Sequence, residues 1–202
     1  NAKKNTSSIM KPSKVLDMEY LELNKAVKDG KHKYHCFYIA TINLKTPKLR
    51  TVVLRSVEKD KNTISFHTDL RSQKINDLRL NNNVSVLFYD GERKIQIRGQ
   101  GKAILEENSI ELKNLWSTMR AESKLCYMGP FAPGEQLSHF QPNLPNHNAQ
   151  NITEESDIKG YNNFSRVTVH LEKLDWLQLD HKGHKRILFC FKKGSQPIWI
   201  AS

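Results

Sequence analysis

Apolar residues in the first part of the chain follow a helical spacing. Over residues 13–29 they recur every three or four positions, at Leu16, Tyr20, Leu23 and Val27, which predicts an amphipathic helix. Ser13 is a suitable N-cap and Gly30 a suitable stop for this helix. Two further helices are predicted over residues 72–81 and 108–125.

Short runs rich in β-branched and aromatic residues make up most of the remaining chain and predict strands. These strands are residues 34–42, 48–57, 63–68, 84–90, 93–105, 164–171, 174–179 and 185–191. Turn-like residues at 58–62 and at Asp90–Gly91 join two pairs of strands into hairpins. Sequential antiparallel strands with few helices indicate a closed or nearly closed β-barrel with helices at its ends. The expected fold class is α+β, mainly β.

Residues 128–163 interrupt this regular pattern. They contain four of the seven prolines and many asparagines, which predicts a long loop or lid of a kind that is often functional. The length of 202 residues and the apolar content of 38% suit a single domain over residues 1–202. Within it, only this loop and about the first dozen residues are expected to lack regular structure.

The net charge is +11, with an isoelectric point near 9.6, and a domain this basic attracts anions. Nucleic acid, membrane headgroups and phosphorylated small molecules are the candidate classes. Acidic residues interrupt the basic ones, as in VEKDKN and DGERKIQIRG, whereas nucleic-acid binders tend to carry a continuous basic stripe with exposed aromatic residues. This pattern disfavours nucleic acid, and a solvated basic surface is the alternative interpretation. The expectation of a phosphorylated small-molecule substrate, with neither nucleic acid nor a membrane as partner, follows from the resemblance carried by the motifs below.

Several other protein classes lack support in the sequence. No apolar run approaches the roughly 20 residues of a membrane-spanning helix, and residues 1–14 lack the apolar segment of a secretory signal. Cys36, Cys126 and Cys190 show neither metal-binding spacing nor an evident disulfide pairing. The eight histidines include no zinc-hydrolase motif. We expect a cytoplasmic protein without a metal site.

Arginines at both ends of a β-rich run are the first sign of a specific site. Side chains alternate along a strand, so two opposite faces are formed by Arg50, Val52 and Leu54 and by Thr51, Val53 and Arg55. One arginine can then contact a cofactor while the other faces a substrate.

A helix start follows the next strand and adds further anion-binding groups. The strand ends at His67 and Thr68, and Ser72 begins a helix whose first N–H groups and dipole favour an anion. Arg71 and Lys74 add positive charge beside it. This combination predicts a phosphate site formed without a glycine-rich loop. A solvated basic strand next to a helix end is the alternative interpretation.

The motifs RTVVLR, FHTDLRSQK and IQIRG, in this order and spacing, resemble the FMN-binding core of the pyridoxamine 5′-phosphate oxidase family. The resemblance covers about residues 34–126 and 164–199, and the segment PFAPGEQL is similar to the FMN-binding branch of the family. It implies an FMN-binding split β-barrel with flanking helices that forms a homodimer with FMN at the subunit interface. It also implies an FMN-dependent oxidoreductase in which no residue of the protein is assigned as catalytic acid, base or nucleophile.

The same resemblance assigns FMN contacts residue by residue. The first motif falls on Arg50, Thr51, Val52, Val53, Leu54 and Arg55, and the second on His67, Thr68, Arg71, Ser72, Gln73 and Lys74. His67 stands where the family has tyrosine. Gln73 replaces an arginine whose charge Arg71 is expected to supply. Further FMN contacts fall on Gln96, Trp176 and Arg186.

The substrate positions depart further from the family pattern. Arg55 also faces substrate by resemblance, and a helix carries three more positions, at Trp116, Arg120 and Lys124. Their spacing of four places them on one helical face, where the two cations are expected to bind a substrate phosphate. Lys182 and His184 fall in the C-terminal substrate motif, with lysine in place of an arginine. The alternative interpretations are a core role for Trp116 and a solvated turn at residues 180–185.

Three functions remain open from the sequence. The first is oxidation of pyridoxamine or pyridoxine 5′-phosphate by O2, with FMN as the redox cofactor. The second is an FMN-binding flavin reductase or stress-related redox protein with a different substrate, which the altered substrate positions favour. The third is a non-enzymatic basic β-barrel that binds nucleic acid through exposed aromatic residues, for which residues 35–40 are the candidate stretch.

Overall fold

The structure is a computed structural model that describes residues 10–202. Its strands are β1 (Cys36–Asn43), β2 (Thr46–Val53), β3 (Ser56–Glu58), β4 (Thr63–Asp69), β5 (Asn83–Asp90), β6 (Ile95–Glu106), β7 (Phe164–Gln178), β8 (Lys185–Cys190) and β9 (Ile198–Trp199). Its helices are α1 (Pro12–Lys28), α2 (Gln73–Leu80), α3 (Ile110–Thr118), α4 (Ala121–Lys124) and α5 (Glu154–Asn163). Most of the N-terminal segment that is expected to lack regular structure lies outside the described residues. Along residues 10–202, no helix combines the length and apolar character needed to cross a bilayer.

The strands of residues 10–202 form one antiparallel sheet in the order β2-β1-β5-β6-β7-β4-β3, with β8 beside β7 and β9 beside β8. The sheet closes on itself because only Leu54 and Arg55 separate β2, which pairs with β1, from β3, which pairs with β4. The backbone N–H groups of Leu54 and Arg55 donate to the carbonyl oxygens of His35 and Ser65, each at 2.8 Å. The predicted strand 48–57 therefore bends at this corner and closes a barrel. The expected mainly β, α+β architecture with flanking helices is confirmed.

Alternating side chains of β5 and β6 fill the barrel. Every second residue of these strands is buried, including Val86, Phe88 and Ile97, while their neighbours face outward. Phe88 stacks on Phe37 of β1 with ring centroids 4.8 Å apart. The two-residue period that predicts these strands is therefore the period of the core itself.

The two strands predicted over 164–171 and 174–179 are one continuous strand, β7. One side of β7 pairs with β6 from Arg166 to Gln178; the other side pairs first with β4 and then with β8. A bulge at Gln100/Gly101 of β6 adjusts the register between them. Glycine is required there because a Cβ at position 101 would lie 1.9 Å from the carbonyl oxygen of His170.

Helix α1 packs against the barrel and starts earlier than predicted. Pro12 occupies its first turn and Lys11 is the N-cap, so Ser13 lies inside the helix instead of capping it. At the other end the C-cap is Asp29 and not Gly30. The buried face consists of Val15, Glu19, Tyr20, Leu23 and Ala26, which rotates it away from the predicted apolar stripe.

Burial of an acidic residue explains this rotation. Glu19 is 2% exposed and accepts hydrogen bonds from Trp176 Nε1 at 3.0 Å, the Tyr34 hydroxyl at 3.2 Å and the Arg93 guanidinium at 2.5 Å. The three donors come from β7 and from segments around β1 and the β5–β6 turn. They compensate the desolvation of the carboxylate and orient α1 on the barrel.

The helix predicted over residues 108–125 is divided into α3 and α4, because Met119 and Arg120 are extended. The hydroxyl groups of Ser117 and Thr118 donate to the carbonyl oxygen of Asn114 at 2.8 and 3.1 Å. Such back-bonding competes with regular helix hydrogen bonds and accompanies the end of α3.

The loop predicted over 128–163 also contains a helix that we did not expect. Its last part is α5, which begins with a capping box between Thr153 and Ser156. Residues 128–153 are irregular apart from a 3₁₀ turn at Ala149–Asn151.

Candidate functional site

Three polar side chains converge where β4 ends and α2 begins. Lys74 Nζ donates to Thr68 Oγ1 at 3.0 Å and to Ser72 Oγ at 2.9 Å, and both hydroxyl-bearing residues are buried. Ser72 is the N-cap of α2, but its Oγ donates to the Asp69 carbonyl instead of capping the helix. The first N–H groups of α2 therefore keep their capacity to bind an anion. We refer to Thr68, Ser72 and Lys74 as the anion pocket.

Arg50 lies beside the anion pocket and is anchored by a buried acid. It donates to Thr41 Oγ1 at 2.7 Å and lies 3.4 Å from Asp77, a fully buried carboxylate of α2. Burial acts to raise the pKa of Asp77, but hydrogen bonds from Asn43 and Thr41 outweigh it and hold this pKa below its usual range. Burial lowers the pKa of Lys74, and the nearby Arg50 lowers it further.

Arg71 does not supply the charge expected of it. Its guanidinium forms an ion pair with Asp69 at 2.7 Å and donates to the Gly129 carbonyl oxygen at 2.8 Å. Arg71 therefore connects the end of β4 to the irregular segment 128–153. Gln73 is exposed in the first turn of α2. Lys74 and the partly neutralised Arg50 are the cations that remain for an anion in this part of the site.

His67 and Arg55 lie next to the anion pocket. The ring of His67 meets the edge of Phe164 at a centroid distance of 5.0 Å. Burial, together with the nearby charges of Arg55 and Arg166, lowers the pKa of His67 to about 4, so the imidazole is neutral at pH 7. Arg166 pairs with Glu106 at 2.6 Å, whereas the side chain of Arg55 is exposed to ligands.

The remaining residues of the motif RTVVLR follow the alternation expected from the sequence. Leu54 is fully buried and Val52 packs against the core, whereas Thr51 is exposed and Val53 half-buried. The side chains of residues 51–54 thus fix the backbone that connects Arg50 to Arg55.

A second set of predicted FMN contacts lies on the outer face of the sheet. An open groove of about 450 Å³ crosses this face, and its lining includes Leu49, Leu87, Gln96, Arg98, Asp175 and Leu188. Arg186 reaches the groove through Asp175, to which it donates two hydrogen bonds of 2.9 and 2.7 Å. These bonds from Arg186 hold the pKa of Asp175 below its usual range. We refer to this surface as the outer groove.

Trp176 belongs to neither set. It is 2% exposed in the barrel core, and its indole N–H donates to Glu19. This placement does not fit the FMN contact predicted for Trp176, because the side chain is used to hold α1.

Trp116 and Lys124 come together, but not on one helical face as predicted. The extended residues between α3 and α4 change the direction of the chain. Asp157 of α5 accepts hydrogen bonds from Trp116 Nε1 at 3.1 Å and from Lys124 Nζ at 3.0 Å. The ammonium also lies 4.9 Å from the centre of the indole ring. Arg120 is exposed at the N-cap of α4, outside this cluster.

Lys182 and His184 are exposed in the turn between β7 and β8, where His184 Nδ1 accepts from the backbone N–H of Asp180 at 3.1 Å. This turn is at the opposite end of β7 from the anion pocket. Thr68 pairs with Ser165 at the start of β7, whereas Gln96 and Arg186 both pair with Leu177 near its end. Twelve residues of strand, roughly 40 Å, separate these positions. One chain therefore does not bring both sets of residues to one small ligand.

Three acidic residues of these clusters do not stand out in the sequence. Glu19, Asp77 and Asp157 each bind partners that are distant along the chain. No local pattern identifies Glu19 or Asp77. The helix of Asp157 does have a signal, because Thr153 followed by acidic residues is typical of a helix N-terminus.

The anion pocket combines an ammonium, two hydroxyls and a helix N-terminus, a set that fits the phosphate of a nucleotide such as FMN once the Ser72 hydroxyl turns from the Asp69 carbonyl toward the ligand. Residues 18–107 match the sequence family described as pyridoxamine 5′-phosphate oxidase, FMN-binding domain. A protein of Arabidopsis thaliana named pyridoxine/pyridoxamine 5′-phosphate oxidase 2 is 28% identical over 174 residues, which cover 81% of this chain and 83% of that protein.

Solved structures share the fold at low sequence identity. A pyridoxamine 5′-phosphate oxidase-related, FMN-binding protein of Nostoc punctiforme has a TM-score of 0.67 at 19% identity, with coverage of 96% of this chain and 98% of that one. PhzG from Burkholderia lata, in complex with tetrahydrophenazine-1-carboxylic acid, has a TM-score of 0.65 at 15% identity, with coverage of 97% and 95%. The split-barrel fold is thereby confirmed, and the family match confirms FMN as the cofactor. The resemblance of this chain to pyridoxamine 5′-phosphate oxidase-like FMN-binding proteins is thus confirmed over residues 18–107 by the family match and over most of the chain by the shared fold.

Proposed function

We propose that this chain is an FMN-dependent oxidoreductase whose active site forms between two copies of the chain. The anion pocket carries the proposal. It offers an ammonium and two hydroxyl groups, already converged within 3.4 Å of one another, to the phosphate of FMN. When bound, FMN supplies two-electron redox chemistry that no side chain provides.

The residues around the pocket have separate tasks in this proposal. Lys74, Thr68 and Ser72 bind the phosphate, and burial strengthens these bonds because the local dielectric is low. Arg50 adds a positive field that Asp77 partly offsets. His67 stays neutral, so it donates or accepts a hydrogen bond without adding charge near the flavin. Arg55 is the exposed cation beside it.

A homodimer explains why Gln96 and Arg186 lie far from the anion pocket of their own chain. In a twofold dimer these residues of one copy complete the site of the other. Exposed apolar side chains on the outer face of the sheet, Tyr38, Leu49 and Tyr89, support an interface there. A neighbouring copy would cover the outer groove, bury these side chains and bring the two sets of residues to one FMN.

Oxidation of pyridoxamine or pyridoxine 5′-phosphate is the first reaction to test, as the name of the Arabidopsis relative indicates. The amine- or alcohol-bearing carbon of the substrate would lose a hydride and its nitrogen or oxygen a proton, and O2 would take up the two electrons and two protons as hydrogen peroxide. With the amine, water would then hydrolyse the imine and release ammonia. Arg55, Arg120, Lys182 and His184 are the proposed substrate contacts. A second candidate, an FMN-dependent redox protein with another substrate, is favoured by one observation: Asp157 already engages Trp116 and Lys124.

The absorbance spectrum of the purified protein tests both candidates. We expect a yellow protein that releases FMN on denaturation. Anaerobic bleaching by pyridoxamine 5′-phosphate, with peroxide formed in air, supports the first reaction. Reduction only by a nicotinamide donor supports the second candidate. A colourless protein that takes up no added FMN contradicts both.

Mixing of variant subunits tests the composite site. Lys74→Met and Arg186→Gln each alter a different half, and each alone is expected to weaken FMN binding at least about tenfold. When the two variants are unfolded together and refolded, about a quarter of all sites regain wild-type affinity, because half of the dimers are mixed and each contains one intact site. Lys74→Met mixed with Ser72→Ala is the control, since both changes lie in one half. No recovery in the first mixture would contradict a site shared between subunits.

A further inference from the structure

Two of the three helix positions assigned to the substrate, Trp116 and Lys124, are already bound to one carboxylate. Asp157 accepts from Trp116 Nε1 and Lys124 Nζ through its two separate oxygens, at 3.1 and 3.0 Å. The Lys124 side chain is only 13% exposed, and Trp116 is 4% exposed. The Asp157 side chain is 37% exposed, so solvent partly screens the pair, but the carboxylate still offsets the charge of the ammonium.

This cluster adjoins the flavin end of the proposed site. The rings of Trp116 and Phe164 have centroids 5.3 Å apart, and the rings of Phe164 and His67 are 5.0 Å apart. Two ring contacts therefore connect Lys124 and its partners to His67, which lies beside the anion pocket and Arg55. A substrate bound at this end of the site would therefore interact with the charges of Lys124 and Asp157.

Helix α5 holds the Asp157 carboxylate in place. The capping box at Thr153 and Ser156 fixes the start of the helix, and the dipole favours a negative charge in this first turn. One turn later, Gly160 allows α5 to lie close to Trp116, since a Cβ there would come within 2.9 Å of the indole ring. The backbone of Asp157 is therefore held beside Lys124 and Trp116.

We infer that Asp157 excludes phosphate from this part of the site, so that the substrate carries no phosphate group at the position of Lys124. This inference rests on the proposed oxidoreductase function. A phosphate entering the cluster would have to displace a carboxylate bonded to both donors, and it would approach that negative charge. The substrate class is therefore a compound that presents no phosphate to Lys124, and Asp157 is the residue that determines this specificity.

Binding of a matched pair of compounds tests the inference. Pyridoxine and pyridoxine 5′-phosphate share a ring and differ in the phosphate. Their affinities are measured by calorimetric titration of anaerobic, photoreduced holoprotein in phosphate-free buffer, so that no turnover occurs. We expect wild-type protein to bind the two within about threefold of each other. Asp157→Asn, which keeps the shape and an oxygen for Trp116 but frees the charge of Lys124, should bind pyridoxine 5′-phosphate at least about tenfold more tightly than wild type.

Two further variants make the result specific. Glu155→Gln removes a charge from the same turn of α5 without a contact to Lys124, and it should behave as wild type. Lys124→Gln should leave the affinity for pyridoxine 5′-phosphate unchanged within about threefold, even if Asp157→Asn fails to fold. The inference would be overturned if wild type preferred the phosphorylated compound by tenfold or more, or if Lys124→Gln bound that compound much more weakly than wild type. It would also be overturned if folded Asp157→Asn showed no gain in affinity for pyridoxine 5′-phosphate. Failure of the proposed function itself is seen separately, as the absence of flavin absorbance.

Discussion

Individual cations of this protein differ in what neutralises them. Lys74 donates to two hydroxyl groups, whereas Lys124 is paired with Asp157, and Arg71 with Asp69. Residues of the same type and similar burial therefore have very different capacities to bind an anion. The proposed FMN phosphate site depends on this difference, because Lys74 retains a charge that a ligand can use.

Removal of the Lys74 ammonium should weaken FMN binding. We expect Lys74→Met to raise the dissociation constant for FMN by roughly 10- to 100-fold, because one charge-assisted hydrogen bond to phosphate is lost. Titration of apoprotein with FMN, followed by quenching of flavin fluorescence, measures the change. Lys113→Gln, an exposed lysine of α3, is the control and should bind FMN as wild type does. Equal affinities in both variants would show that the phosphate lies elsewhere.

The neutral state of His67 should make stability depend on pH. Its pKa is about 4 in the folded protein and near 6.5 when unfolded, so the unfolded chain takes up the proton first. The contribution of His67 to stability is thus complete above about pH 6.5 and is lost as the pH falls toward 4. We expect His67→Gln to reduce the difference in unfolding free energy between pH 7 and pH 4.5 by roughly 1–3 kcal/mol.

Urea denaturation at the two pH values measures this effect. His139→Gln is the matched control, because His139 is exposed and should leave the pH dependence of wild type intact. An unchanged pH dependence in His67→Gln would mean that another group is responsible.

At the scale of elements, buried polar groups decide how the helices sit on the barrel. Glu19 of α1 binds donors from three other segments, and Asp77 of α2 binds Thr41 and Asn43 of β1. Each acid gives its helix one orientation, because any rotation would leave a buried carboxylate and its donors unpaired.

Helix α1 should lose much of its docking energy when the charge of Glu19 is removed. We expect Glu19→Gln to lower the unfolding free energy by roughly 2–4 kcal/mol, because the partly buried Arg93 guanidinium then lacks its counter-charge. Asp17→Asn on the same helix breaks an exposed ion pair with Lys59 and should cost less than about 1 kcal/mol. Urea midpoints of both variants give the comparison. Similar losses in the two would argue against a special role of the Glu19 network.

At the scale of the whole molecule, the closed barrel places the proposed FMN contacts at two distant locations. The strand β7 runs from the anion pocket to the outer groove. Gln96 and Thr68 pair with its opposite ends and therefore lie far apart within the described chain. A second copy resolves this separation, so the oligomeric state and FMN binding are expected to change together.

A charge placed in the outer groove should separate the subunits. We expect Leu49→Asp, at a position that is 67% exposed in one chain, to give monomers and to lose FMN at the same time. Size-exclusion chromatography with light scattering reports the mass, and the flavin absorbance elutes with it. Leu44→Asp alters an even more exposed leucine between β1 and β2 and should remain dimeric. A dimeric, yellow Leu49→Asp protein would place the interface elsewhere.

Local sequence patterns predicted an element correctly where the spacing of its apolar residues matches the face that it buries in the core. The strands β4, β5 and β6 and the helix α2 lie within two residues of the predicted bounds, since period and turn residues are properties of neighbouring positions. The division of residues 108–125 and the continuity of β7 were not predictable in this way. Side-chain back-bonding ended the first, and pairing with three other strands extended the second.

Neighbouring residues were enough to specify the fold class, the resemblance to FMN-binding proteins and the position of the anion pocket, because Thr68, Ser72 and Lys74 lie within seven consecutive positions at one strand–helix junction. Which positive charges remain available to a ligand depends on contacts that form only in the folded chain. The neutralising partners Asp77 and Asp157 come from other elements, and their contacts with Arg50 and Lys124 span 27 and 33 residues. Electrostatic strength depends on distance and burial in space, and neither quantity is a property of neighbouring residues along a chain.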